Sequence, residues 1–205
     1  LKRLAGPKAQ AGAAVSGNSE RKRSTMNDAI QHEPSTDVVV TTVAGQSGVY
    51  GDADGPVGSA TLGGPTAMAI DGGGNIFVGT GSQTIRKITP TGIVSTFAGS
   101  AGNYGSADGV GSAARFDGPY GLAFDSAGNL YVAERRVGSI AGCTIRRITP
   151  AGVVTTLGGQ PGSPGFVNGV GSAARFNTLI GIAVDAAGNI YAADLADHKI
   201  RKGIL

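Results

Sequence analysis

A single pattern, written three times, limits what this chain can fold into. Its fullest copy runs from Arg115 to Gly159 as RFDGPYGLAFDSAGNLYVAERRVGSIAGCTIRRITPAGVVTTLGG. An earlier copy, GPTAMAIDGGGNIFVGTGSQTIRKITPTGIVSTFAG, spans Gly64–Gly99, and a shorter one, RFNTLIGIAVDAAGNIYAADLADHKIRK, spans Arg175–Lys202. Aligned on the aspartate that closes the first apolar run, the copies fall at Asp71, Asp125 and Asp185, 54 and then 60 residues apart. Self-similarity at a long, regular period is the mark of a repeat architecture.

Within one copy the chemistry is that of short strands. In the second, Tyr120–Phe124 is an apolar run, and Asp125–Asn129 is a turn in which the carboxylate can accept backbone N–H bonds. Leu130–Ala133 follows, then Thr144–Thr149, which stops at Pro150 because proline has no N–H to give a ladder. After the Pro150–Gly152 turn comes Val153–Leu157, rich in β-branched residues. Four antiparallel strands joined by hairpins make one propeller blade, so the expectation is an all-β β-propeller. Its blades should cover about 64–99, 118–159 and 178–205. Thirty-six Gly and nine Pro leave no long stretch with apolar residues at helical spacing.

The pattern Gly-x-Ala-x-Asp, turn, Gly-Asn-[Ile/Leu]-[Tyr/Phe], then Ile-Arg-[Lys/Arg], resembles the NHL repeat, a blade type of six-bladed propellers. The third copy carries it best, with Gly188–Tyr191 followed by Asp194–Arg201. The first copy departs at Gly79–Gln83, which holds neither acid nor histidine, and the second carries an insertion around Arg135–Cys143. The resemblance runs from about Val38 to Lys202. It implies a fold more than a function, since one fold serves many activities. It also implies an extracytoplasmic bacterial setting, because long-connector arrays of this kind are typical of exported proteins.

Residues 1–36 are of another kind, polar and small with no apolar periodicity, and read as a disordered basic tail ahead of repeats spanning 37–205. The tail holds six Lys and Arg against three acids, so the formal net charge of +3 resides there, and the remainder balances eleven against eleven. The basic pI is therefore no argument for nucleic-acid binding by the folded part. The first methionine is Met26, and residues 1–25 stand either as a native tail or as sequence outside the translated protein. No apolar stretch is long enough to span a bilayer as a helix, which argues against a membrane partner.

Val38–Ala44 (VVVTTVA) matches the fourth strands and is expected to be one, without a blade before it. The third copy has no fourth strand of its own. Since propellers close with four to eight blades, two explanations stay open. Either the chain is part of a longer ring, or two chains form a homodimer with six blades, each Val38–Ala44 strand completing its partner's last blade.

The Gly-rich connectors Gly45–Gly64, Gly99–Gly118 and Gly158–Asn177 are themselves repeats. Loops this long serve a function or pack on themselves. Candidate partner-binding residues are Arg115 and Arg175, which follow Ala-Ala in matched connectors, with Asp108, Tyr104 and Tyr120. Each arginine is expected to hold its loop through connector acids or carbonyls. Asp71, Asp125 and Asp185 could converge on a channel cation, or each could cap its own hairpin; the second reading is favoured. Asp52, Asp54 and Asp108 resemble calcium-loop material, but acids alternate only once, so Ca²⁺ is a possible rather than a required ligand and no other cofactor is expected.

The pairs Arg86–Lys87, Arg146–Arg147 and Arg201–Lys202 are expected on third strands as a solvated outer face. No aromatics interleave with them, which argues against nucleic acid. His198 is the one histidine outside the tail, and Cys143 is the only cysteine, so neither a His-rich metal centre nor a disulfide frame is available within one chain. The function expected is non-enzymatic binding of a protein or carbohydrate partner by propeller loops. The alternative is a metal-dependent hydrolase or lyase centred on the channel.

Overall fold

The computed structural model describes residues 38–135 and 143–204. The expected tail, 1–36, and most of the inserted segment, 136–142, lie outside the described residues. The chain divides into a unit Leu1–Val40 and a compact unit Thr41–Leu205. In the first, Val38–Val40 form no strand.

The compact unit is all-β. Its elements are β1 (Gly55–Pro56), β2 (Pro65–Ile70), β3 (Ile76–Thr80), β4 (Thr84–Ile88) and β5 (Ile93–Gly99). A second set follows as β6 (Gly109–Val110), β7 (Pro119–Phe124), β8 (Leu130–Glu134), β9 (Ile145–Ile148) and β10 (Val153–Gly158). The last three are β11 (Leu179–Val184), β12 (Ile190–Asp194) and β13 (Lys199–Gly203). They build three antiparallel sheets ordered β1-β5-β4-β3-β2, β6-β10-β9-β8-β7 and β11-β12-β13. These are propeller-type blades, each starting on its inner strand.

Two expectations are corrected. The complete blades have five strands, because the connector before each blade adds two residues to its outer edge, Gly55–Pro56 on β5 and Gly109–Val110 on β10. Thr41–Ala44 also form no strand, so the whole expected Val38–Ala44 strand is unformed. Similarity to β5 and β10 is not enough, since a strand exists only when a neighbour takes up its ladder groups.

Local chemistry explains the hairpins. Asp71 Oδ1 accepts the N–H groups of Gly73 and Asn75, both at 2.9 Å, and Oδ2 accepts the Asn75 amide at 2.8 Å. Asp125 and Asp185 repeat this with Ala127 and Asn129, and with Ala187 and Asn189. The other turn is fixed by Thr89 and Thr149, whose hydroxyls accept from Ile93 and Val153.

Two parts of the core lie in the seams between blades, and a third, Ala60, Val78, Ile88 and Val94, lies between the first blade and its connector. Phe77, Ile85 and Ala98 of the first blade pack with Leu122, Leu130, Val132, Ile148 and Val154 of the second. Tyr131, Ala133, Cys143 and Ile145 pack with Leu179, Ile190 and Ala192 of the third. Inner strands approach very closely: a Cβ on Gly121 would lie 3.0 Å from the backbone of Gly181. A seam this tight needs a residue without a side chain.

Candidate ligand-binding surface

Each connector folds back over one face of its own blade, and this decides where the third-strand arginines go. Arg86 and Arg146 are fully buried. The expected outer basic face is therefore corrected: the first arginine of each pair turns inward, Arg86 and Arg146 completely and Arg201 for the most part, while Lys87 and Arg147 are partly exposed and Lys202 is exposed.

Each inward arginine clamps its own blade's connector. Arg86 Nη1 donates to the Thr61 carbonyl and Asp52 Oδ1, and Nη2 to the Ala53 carbonyl and Asp54 Oδ1, at 2.7–3.2 Å. Arg146 does the same with the Arg115 carbonyl, Glu134 Oε2, the Ala107 carbonyl and Asp108 Oδ1. Arg201 takes the carbonyls of Arg175 and Val167 and Asn168 Oδ1, with Asp194 at 3.6 Å. The planar guanidinium, with its forked donors, suits this two-sided grip. The connectors thus pack on their blades, each held at two points.

The carboxylate of the clamp is supplied in two ways. Glu134 and Asp194, at the ends of β8 and β12, also accept backbone N–H groups from their own connectors, Asp117 for Glu134 and Asn177 and Thr178 for Asp194. The first blade has Thr80 there, and Asp52 takes over, accepting from Ser82, Thr84 and Arg86. Burial pushes the Glu134 carboxyl up, against the pull of Arg146 and the Thr144 hydroxyl. Asp108 moves the other way: burial is outweighed by the Thr156 N–H and hydroxyl and by Arg146, which hold it below the usual carboxylate range.

The candidate residues sort accordingly. Asp108 belongs to the clamp. Arg115 Nη1 donates to the carbonyls of Ser112 and Ala114, and Arg175 to those of Ser172 and Ala174 and to Gln160. Both arginines shape their own connectors. Tyr120 is half-buried, with the Arg135 guanidinium 4.8 Å from its ring centre. Tyr104 is exposed, and its backbone bridges to Phe116.

Asp71, Asp125 and Asp185 each serve their own hairpin. Among the described residues no group of three or more His, Cys, Asp or Glu is placed to hold a metal. Asp52 and Asp54, read as calcium-loop material, are bonded to Arg86.

Sequence reasoning passed over Tyr50 and Phe166. Both are exposed on connectors, Tyr50 at the position equivalent to Tyr104. The connectors and the turns after β3, β8 and β12 share one end of the blades, tied by Gly81 N–H to Gly64, Arg135 N–H to Gly118 and Leu195 N–H to Thr178. At this end the chain presents Tyr50, Tyr104 and the Tyr120–Arg135 pair on anchored backbone.

No protein-family model matches the chain, and no curated protein matches it. Solved structures do. A protein of unknown function from Bacteroides thetaiotaomicron is 29% identical with a TM-score of 0.57, over 63% of this chain and 32% of that one. An auxiliary nutrient binding protein from Bacteroides ovatus is 27% identical with a TM-score of 0.55, over 66% and 36%. Another auxiliary nutrient binding protein, from B. thetaiotaomicron, is 23% identical with a TM-score of 0.57, over the same shares, and shows likeness of fold alone. The chain spans about a third of the length of these structures. The neighbours are propeller-like, in keeping with the blades described above.

Proposed function

We propose that the chain is a non-enzymatic binding module of NHL-like blades, taking a carbohydrate partner on the connector end. The observation that supports this most is the pairing of exposed Tyr50 and Tyr104 at equivalent places on connectors that buried arginines hold still. A tyrosine offers a rigid apolar face with a polar tip, and sugar rings present matching C–H faces and hydroxyls. Pre-anchored loops lose little freedom on binding, so modest contacts suffice for useful affinity. The B. ovatus nutrient binding protein lends support by likeness.

The test is titration calorimetry against a panel of soluble oligosaccharides. A binder is expected whose affinity falls at least about tenfold in Tyr104→Ala and in Tyr50→Ala, with melting temperature unchanged. Binding indifferent to both substitutions, or no binder at millimolar concentration, sinks the carbohydrate reading.

A further inference from the structure

Two of the three hairpin aspartates are met by a tyrosine of their own blade. Tyr131 donates its hydroxyl to Asp125 Oδ2 at 3.0 Å and Tyr191 to Asp185 Oδ2 at 3.1 Å. In each case the same oxygen also takes the neighbouring asparagine amide. Asp71 Oδ2 takes the Asn75 amide in the same way, at 2.8 Å, but the residue in the tyrosine place is Phe77. A carboxylate oxygen has lone pairs for two such donors, so the first blade keeps an acceptor that its sisters satisfy internally.

Asp71 and Phe77 line a cavity of about 250 Å³ at the end of the seam away from the connectors. Both walls belong to this chain. Phe77, Lys87 and Phe97 come from the first blade, Phe124, Leu130 and Ile148 from the second, and every lining residue falls between Asp71 and Pro150. Three of the chain's six phenylalanines meet here. Phe77 makes edge-on contacts with Phe97 and Phe124, ring centres 5.0 and 5.1 Å apart. In the next seam the matching places hold Tyr131, Leu157 and Val184, so the aromatic wall and the missing hydroxyl occur together.

Charges of opposite sign border this wall. Asp71 and Lys87 are both half-buried, and the Lys87 ammonium lies 5.6 Å from the centre of the Phe77 ring. A ligand anion is repelled by Asp71 and a ligand cation by Lys87. A neutral hydroxyl suits both, since it donates to a carboxylate and accepts from an ammonium. The volume is below the roughly 300–1,000 Å³ of sites for drug-sized ligands, which leaves room for one small ring. A ring with many hydroxyls brings more polar groups than this lining can pair, at a cost for each one buried. An aromatic ring with one hydroxyl meets every condition, its ring against the phenylalanines and its oxygen between Asp71 and Lys87.

We propose that this cavity is a phenol-binding site, in which the ligand's hydroxyl donates to Asp71 Oδ2 as Tyr131 and Tyr191 donate within the sister blades. A free phenol and the tyrosine side chain of another protein share this chemistry. The site lies at the other end of the blades from Tyr50 and Tyr104, so it stands apart from the carbohydrate reading and neither depends on the other.

The probe is para-cresol, titrated into the full chain and followed by backbone amide chemical shifts. Saturable shifts are expected at Gly73, Lys87 and Gly128, with a dissociation constant of at most about 1 mM. Para-methylanisole keeps the ring but has no proton to donate. It should bind at least about tenfold more weakly, the effect of one hydrogen bond to a charged group. Phe77→Tyr should weaken para-cresol binding by at least about tenfold too, because the protein's own hydroxyl then takes the place. Its melting temperature should not fall, which separates a filled site from a damaged fold. N-acetyltyrosinamide distinguishes the two sources, and either result supports the site: binding as tight as that of para-cresol points to a tyrosine side chain, weaker binding to a free phenol. The absence of saturable shifts, or shifts confined to the connector end, overturns the proposal. So does equal binding of para-methylanisole, or binding undiminished in Phe77→Tyr.

Discussion

Arg146 and Glu134 are both fully buried, and Arg146 Nη1 donates to Glu134 Oε2 at 3.3 Å. A buried ion pair stabilises little against an apolar substitute, but removing one partner strands the other charge. The first blade solves the same problem differently, with Thr80 at the position of Glu134 and Asp52 at the position of Ser106. The two solutions should be interchangeable. Glu134→Thr should cost about 3 kcal/mol in urea unfolding, since Arg146 loses a buried carboxylate. Ser106→Asp alone should change little. The double substitution should recover at least about 1 kcal/mol as coupling. Strict additivity would show that the connector acid does not stand in for the strand acid.

How much of this was legible beforehand follows from what repeats. The blades, the hairpin aspartates and the turn threonines recur at fixed places, and their local chemistry is sufficient to specify them. The clamp recurs too: Asp54, Asp108 and Asn168 keep step with Arg86, Arg146 and Arg201. It was missed because an arginine on a strand reads as solvated by default. In the first two blades the third strand has the next blade on one face and its own connector on the other, so alternation stops signalling exposure. The fifth strand was invisible for another reason: Gly55, Pro56 and Gly109 are poor strand formers, Val110 is a single β-former beside them, and two-residue strands arise here because the clamped connector passes along the blade edge. Of the site, Tyr104 could be named from its connector, and Arg115 and Arg175 bond to the carbonyls of their own connectors as their matched places led one to expect.

The hairpin carboxylates set a pH dependence with a definite sign. Asp71, Asp125 and Asp185 all sit below the usual carboxylate value. Burial works against this at each of them. Asn75 and Gly73 outweigh it for Asp71, Asn129, Tyr131 and Ala127 for Asp125, and Asn189, Tyr191 and Ala187 for Asp185. A group depressed on folding contributes stability above its unfolded value and loses it as pH falls through the folded one. Stability should therefore hold from neutral pH to about the ordinary aspartate range near 4 and decline below it. Glu134, whose value is raised, works in the opposite direction and blunts the fall. Asp125→Asn should flatten the acid limb of a melting-temperature profile; an unchanged limb would mean that other groups control it.

Phe77 marks a hydrogen bond that two sister blades have and the first does not. Tyr131 donates its hydroxyl to Asp125 Oδ2 at 3.0 Å, and Tyr191 to Asp185 Oδ2 at 3.1 Å. Burial and the Asp125 carboxylate push the Tyr131 phenol up to about 12, so this bond persists across the working pH range. At the equivalent place Phe77 has no hydroxyl to offer Asp71, and the two residues line a cavity of about 250 Å³. Phe77→Tyr should place a hydroxyl on Asp71 Oδ2 without displacing the ring from its edge-on contacts with Phe97 and Phe124. A gain of about 0.5–1 kcal/mol is expected. Asp71→Asn in the same background should diminish it, and a loss of stability in Phe77→Tyr alone would mean that the cavity cannot admit the oxygen.

The seam between the first two blades leaves no room at Gly79. A Cβ there would lie 2.6 Å from the Pro119 carbonyl oxygen, a backbone atom that cannot turn away as a side chain would. Gly79→Ala must push β7 away from β3, and the strain of such overpacking is about 1–3 kcal/mol. Gly72, in the first hairpin, has open space where a Cβ would go and an ordinary negative φ, so Gly72→Ala is the matched control. It should be neutral or slightly stabilising, because alanine narrows the unfolded ensemble. Since the displacement at Gly79 separates blades rather than bending one, it should expose Phe77 and Leu122 together. An apolar dye should therefore bind Gly79→Ala below its melting transition and leave Gly72→Ala alone. Equal stability of the two variants would show that the blades slide past one another, and that the inner strands do not fix their spacing.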